Sequence, residues 1–152
     1  MYKKIKDEII KKYPLISKAD CSFDCYRVEK GFYVVFWDEM VTRKNKIRVL
    51  NKIYKEFKTG HFPIDKFLVI IAETEDEFKD NELNYATDDL IDSSRTTGAE
   101  AVYYLIDRTN KKLYSCNKAG RILIEYQIKE IVRKIDQIVR NIIYDKGDNN
   151  YD

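Results

Sequence analysis

The chain has 152 residues, 44% hydrophobic and 36% charged, with 28 basic and 26 acidic side chains giving a net charge of +2. That is one ordinary domain with a single sizeable core, and the near-balance of charge argues neither for nor against nucleic acid. No apolar run approaches the ~20 residues that cross a bilayer, and the start, MYKKIKDEII, has no apolar signal core, so membrane partners are not expected.

Residues 2–13 read as a helix, with Tyr2, Ile5, Ile9 and Tyr13 on one stripe and Pro14 as its stop. Residues 22–38 read as a hairpin: Phe23 to Val28, a turn at Glu29-Lys30-Gly31, then Phe32 to Trp37, apolar on both faces and therefore interior. Residues 43–58 form the second helix, with Ile47, Val49, Leu50, Ile53, Tyr54 and Phe57 on one broad side. Phe67 to Ala72 is a buried strand. Thr74-Glu75-Asp76-Glu77 has the S/T-x-x-E form of a capping box, which predicts helix in part of 78–92. A loop at 93–98 leads to a second hairpin, Ala101 to Ile106 and Lys112 to Asn117, over Asp107 to Lys111.

The last helix, Arg121 to Tyr144, is the clearest element. Ile124, Ile128, Ile131, Ile135, Ile138 and Ile142 recur at helical spacing, broadened by Ile122, Val132, Val139 and Ile143. At 1.5 Å per residue it would run roughly 35 Å. Its stripe packs on the sheet, and Ile138 to Ile143 overhangs unless the first helix (Ile5, Ile9, Ile10) covers it. A monomer is expected, with a homodimer through this helix as the alternative. The whole is expected to be a single α+β domain over 1–144 with a frayed tail at 145–152. Its sheet would be about five-stranded and largely antiparallel, two hairpins plus one buried strand, with the long helix on one face.

Catalytic chemistry finds little support. Cys21, Cys25, Cys116 and His61 have the count of a Cys₃His zinc set but not its close pairs. On one extended strand Cys21 and Cys25 would stand about 13 Å apart, too far for a shared zinc or a disulfide, so the cysteines read as buried small hydrophobes. Cys116 with His61 is the one conceivable nucleophile–base pair. Asp38, Glu39, Glu73 and Asp107 end strands, where carboxylates can converge on Mg²⁺ for phosphodiester cleavage. The E-x-K triplets Glu56–Lys58 and Glu77–Lys79 are not on strands, so a metal-dependent nuclease stands as a lesser alternative. Ser93, Ser94, Arg95, Thr96 and Thr97, with Arg121 at a helix start, would suit an anion. No metal or cofactor is expected, and the three cysteines without a secretion signal point to a reducing, cytoplasmic compartment.

Charge segregation is the unusual feature. Residues 43–58 hold seven bases against one acid, and Lys44, Arg48, Lys52, Lys55 and Lys58 share about 120° of the helix wheel. Residues 73–92 hold nine acids (Glu73, Glu75, Asp76, Glu77, Asp80, Glu82, Asp88, Asp89, Asp92) against Lys79. Such fields steer association and select partners. The expected class is a non-enzymatic protein-binding module, an inhibitor, immunity-type protein or adaptor. Its acidic segment would enter a basic cleft on another protein. The rival is a nucleic-acid binder using the basic helix. Richness in Ile, Lys, Tyr and Asn suggests an AT-rich, bacterial or phage coding genome.

Overall fold

The computed structural model describes residues 1–13, 17–29, 31–56, 66–79, 99–115 and 126–144. In chain order these form α1 (Tyr2–Lys12), β1 (Ser17–Lys18), β2 (Asp24–Glu29), β3 (Phe32–Phe36), α2 (Lys46–Glu56), β4 (Lys66–Glu73), β5 (Ala99–Asp107), β6 (Lys112–Ser115) and α3 (Tyr126–Tyr144). The expected tail at 145–152 lies outside the described residues.

The strands make one sheet in sequential order, β1 to β6. Antiparallel pairs join β1 to β2, β2 to β3 and β5 to β6, while β3–β4 and β4–β5 are parallel. The domain is α+β as expected, but the sheet is mixed rather than largely antiparallel. The physical reason is α2: a helix between two strands supplies the long crossover that a parallel neighbour requires. The parallel centre is also where strands are buried on both faces and read as continuous apolar runs, as FYVVF and FLVIIA do. The two-residue β1 was not expected.

Alternate residues of each strand feed two cores. On one face Cys25, Val35, Trp37, Leu68, Ile70, Ala72, Tyr103 and Leu105 pack with Val49, Leu50 and Ile53 of α2. On the other, Phe32, Val34, Phe36, Phe67, Val69, Ile71, Val102, Tyr104 and Ile106 pack with Ile5 and Ile9 of α1 and with Ile131, Ile135, Val139 and Ile143 of α3. The sheet is thus sandwiched, with α2 on one face and α1 and α3 on the other. Ile138 and Ile142 are half-buried against the second core, and α1 shares that face with α3, its Tyr13 hydroxyl donating to the Ile131 carbonyl at 3.4 Å.

Two local structures position the outer surface of α2. Thr42 and Asn45 bond reciprocally, Asn45 N–H to Thr42 Oγ1 (3.1 Å) and Thr42 N–H to Asn45 Oδ1 (2.7 Å). This is the capping-box arrangement with asparagine in the usual place of glutamate, so a turn at 43–45 leads into the helix. The box expected at Thr74 behaves otherwise. Thr74 is buried and its Oγ1 accepts the Asp76 N–H at 3.1 Å, but residues 77–79 carry no regular structure. The rest of the predicted 78–92 helix lies outside the described residues.

Candidate functional site

Because α2 buries Val49, Leu50 and Ile53, its opposite side is left to water, and the sequence places bases there. Lys44, Arg48, Lys52 and Lys55 are all exposed. Arg48, Lys52 and Lys55 line an open depression of about 470 Å³ together with Ile47 and Asn51. Arg48 lies 3.9 Å from Glu39, a pair with more than half of both side chains exposed and therefore weakly bound. The Lys52 ammonium sits 5.6 Å from the centroid of the Trp37 ring, a cation–π contact. Lys58, the fifth residue of the expected basic face, is outside the described residues.

The acidic segment is divided between two roles. Glu73 lies 3.8 Å from Arg108, and Asp76 Oδ2 accepts the backbone N–H of Arg43 at 2.8 Å. The second contact satisfies one of the N–H groups that a helix start leaves open, with negative charge at the positive end of the α2 dipole. Two of the acids thus have structural work, one of them capping a helix other than the one predicted to follow it. Glu75 and Glu77 are exposed. Asp80, Glu82, Asp88, Asp89 and Asp92 are outside the described residues, as are the anion-loop residues Ser93, Ser94, Arg95, Thr96, Thr97 and Arg121, and His61 and Cys116.

The parallel strands bring Asp38, Glu39, Glu73 and Asp107 to one edge of the sheet, but their carboxylates are drawn apart. Asp107 is 2% exposed and turned into its own hairpin turn, where Oδ1 accepts the Asn110 N–H at 3.0 Å and Oδ2 the Asn110 Nδ2–H at 2.8 Å. Burial alone would raise its carboxyl; the bonds from Asn110 and Thr109 and the charge of Lys112 outweigh that and hold it below the usual range. Glu73 and Glu39 face Arg108 and Arg48. No group of three or more metal-ligating side chains forms among the described residues, and no helix among them is long and apolar enough to cross a membrane.

The cysteines require a correction. Cys21 and Cys25 are not on one extended strand. The chain bends back over 19–23, with Ala19 N–H donating to the Cys25 carbonyl at 2.8 Å and Cys21 N–H to that of Ala19 at 3.0 Å. The ~13 Å separation of an extended strand therefore does not apply, and the two thiols are near enough to influence each other's protonation. Burial pushes both thiols up, Cys25 most, which keeps them protonated.

That same bend builds a cavity the sequence reading passed over. It holds about 170 Å³ at the carboxyl end of β3 and is lined by Ser22, Phe23, Trp37, Asp38, Glu39 and Lys52. The Phe23 and Trp37 rings lie 5.6 Å apart, tilted by 59°. Ser22 hydrogen-bonds to the Glu56 carboxylate, tying the bend to the end of α2. The available signal was the tripeptide Trp37-Asp38-Glu39: an aromatic ring and two carboxylates directly after an interior strand. Lys52 belongs to both this cavity and the α2 depression. Comparison with protein-family models, with curated proteins and with solved structures finds no match to this chain.

Proposed function

We propose that the chain is a non-enzymatic binding protein whose basic α2 face docks on the phosphate backbone of nucleic acid. The observation that carries this reading is the exposed set Arg48, Lys52 and Lys55 around one depression, with Lys44 a turn before them. Phosphate contacts supply sequence-independent affinity by releasing counterions. Four such contacts give a log–log salt slope of about −3 to −4. Gel retardation at low salt with DNA and RNA tests it. Wild type retards the probe and Arg48→Glu with Lys55→Glu, folded by circular dichroism, does not. No retardation of either nucleic acid by wild type sinks the reading.

A second reading keeps the protein partner. Glu75 and Glu77 are exposed beside a segment rich in further acids and would meet a basic cleft, as an inhibitor, immunity-type protein or adaptor would. The variant that tests it is Glu75→Lys with Glu77→Lys, because changing Asp76 would disturb the start of α2. Equal recovery of a partner by wild type and variant in a pull-down removes this segment from the interface.

A further inference from the structure

The cavity beside α2 has walls of two chemistries. Phe23 and the nearly buried Trp37 line it with two rings tilted against each other, and Asp38 offers an exposed carboxylate at the rim. Glu39, the other carboxylate, already faces Arg48. The indole N–H of Trp37 is buried with no hydrogen-bond partner among the described residues. At about 170 Å³ the space is smaller than the ~300–1,000 Å³ of pockets for drug-sized ligands, and suits one ring rather than a whole nucleotide. Lys52 spans the boundary: it covers the indole and also lines the basic depression.

We propose that this cavity takes one base of a single-stranded nucleic acid whose phosphates run along Arg48, Lys52 and Lys55, an assignment that rests on the α2 reading above. Aromatic side chains beside a basic track are the physical recipe for single strands, since every base has a face to stack and every nucleotide a phosphate to neutralise. Lys52, exposed and long, swings from the indole to the phosphate as the ring enters. Duplex is disfavoured because its bases must first be unpaired and unstacked to reach a side pocket. The Asp38 carboxylate only accepts hydrogen bonds, so it favours a base carrying an exocyclic amine, as an acid does with cytosine N4, over thymine, whose N3–H lies between two carbonyls.

Trp37 is the sole tryptophan of the chain, so its fluorescence reports on this cavity alone. The experiment titrates the full chain at low salt with oligo-dC, oligo-dT and a mixed-sequence duplex, recording Trp37 emission and gel retardation together. Single strands should quench Trp37 with the midpoint seen by retardation, and oligo-dC should bind severalfold tighter than oligo-dT. Phe23→Leu, which keeps apolar volume, should weaken binding about tenfold by removing the stacking ring. Asp38→Asn, at an exposed position, should bring oligo-dC and oligo-dT together. Retardation without any change in Trp37 emission, or duplex binding as tightly as single strand, overturns the base pocket and leaves the α2 reading intact. Absence of retardation with every probe removes both.

Discussion

The two faces of the sheet are built from the same apolar alternation and end differently. On the α1/α3 face several polar groups at the margin are engaged within the chain. The single Tyr2 hydroxyl proton is shared between the carbonyls of Trp37 (2.9 Å) and Ile71 (3.2 Å), and Lys6 pairs with Asp24. The Tyr104 hydroxyl donates to Asp136 (3.1 Å), which also accepts from Arg140 Nε (2.9 Å), and the Tyr144 hydroxyl accepts the Leu113 N–H (2.9 Å). These contacts act as polar pins that hold the helices in register on the sheet. On the α2 face the inner side is equally apolar, but Lys44, Arg48, Lys52 and Lys55 stand in solvent and a cavity opens at the strand end. The difference teaches that two faces with the same apolar interior can carry different exteriors, because core packing fixes only the side chains that face the sheet.

The widest separation between the faces is in stability. Ile135 is fully buried between α3 and the sheet. Ile135→Ala removes buried methyl and methylene groups and leaves a cavity, so it should cost about 2–5 kcal/mol in urea denaturation. Arg48→Ala and Lys55→Ala, on exposed positions, should each stay within about 0.5 kcal/mol. Comparable losses from both would show that the α2 exterior is structural, and the contrast would collapse.

The faces were unequally legible in the sequence. The interior strands were plain because Phe32 to Trp37 and Phe67 to Ala72 have no charged side chain to turn outward, and α2 was plain because its apolar and basic residues separate on the wheel. The parallel centre was missed although its signal was there, two such runs separated by one helix. Turns are local and easily read, whereas strand direction depends on where the chain returns. The pairings that shape the site are less local still. Asp76 meets Arg43 across 33 positions and Ser22 meets Glu56 across 34, and neither spacing has a periodic signature. The bend at 19–23 hid the Phe23–Trp37 cavity because it looked like the start of a strand.

A smaller effect separates carboxylates along one edge of the sheet. Asp107 is buried and bonded, whereas Asp38 and Glu39 are exposed. With its folded-state pKa below the ordinary ~3.9, Asp107 contributes stability that is present above that value and lost as pH falls through the folded one. Asp107→Asn should cost about 1–3 kcal/mol near pH 7 by leaving the Asn110 donors poorly matched. The gap between wild type and variant should then narrow on acidification below about pH 4. A gap that is constant from pH 7 to pH 3 would show that the ionised carboxylate is not what holds the turn.

The finest test bears on the α2 face itself. Glu39 and Arg48 are 3.9 Å apart with 57% and 61% of their side chains exposed, so their attraction is worth only ~0–1 kcal/mol and Glu39→Gln should leave stability unchanged. For a bound phosphate backbone the same carboxylate is a like charge beside a contact residue. One unit charge at ~4 Å in water amounts to ~1 kcal/mol, so its removal should tighten binding about two- to fivefold at low salt. The gain should fade toward physiological salt, where exposed charges are screened over ~8 Å. Glutamine keeps the side chain's length and one carbonyl acceptor at the cavity rim, so the change isolates charge from shape. Affinity unmoved by Glu39→Gln at low salt would place the backbone contact away from Arg48, and with it away from the outer face of α2.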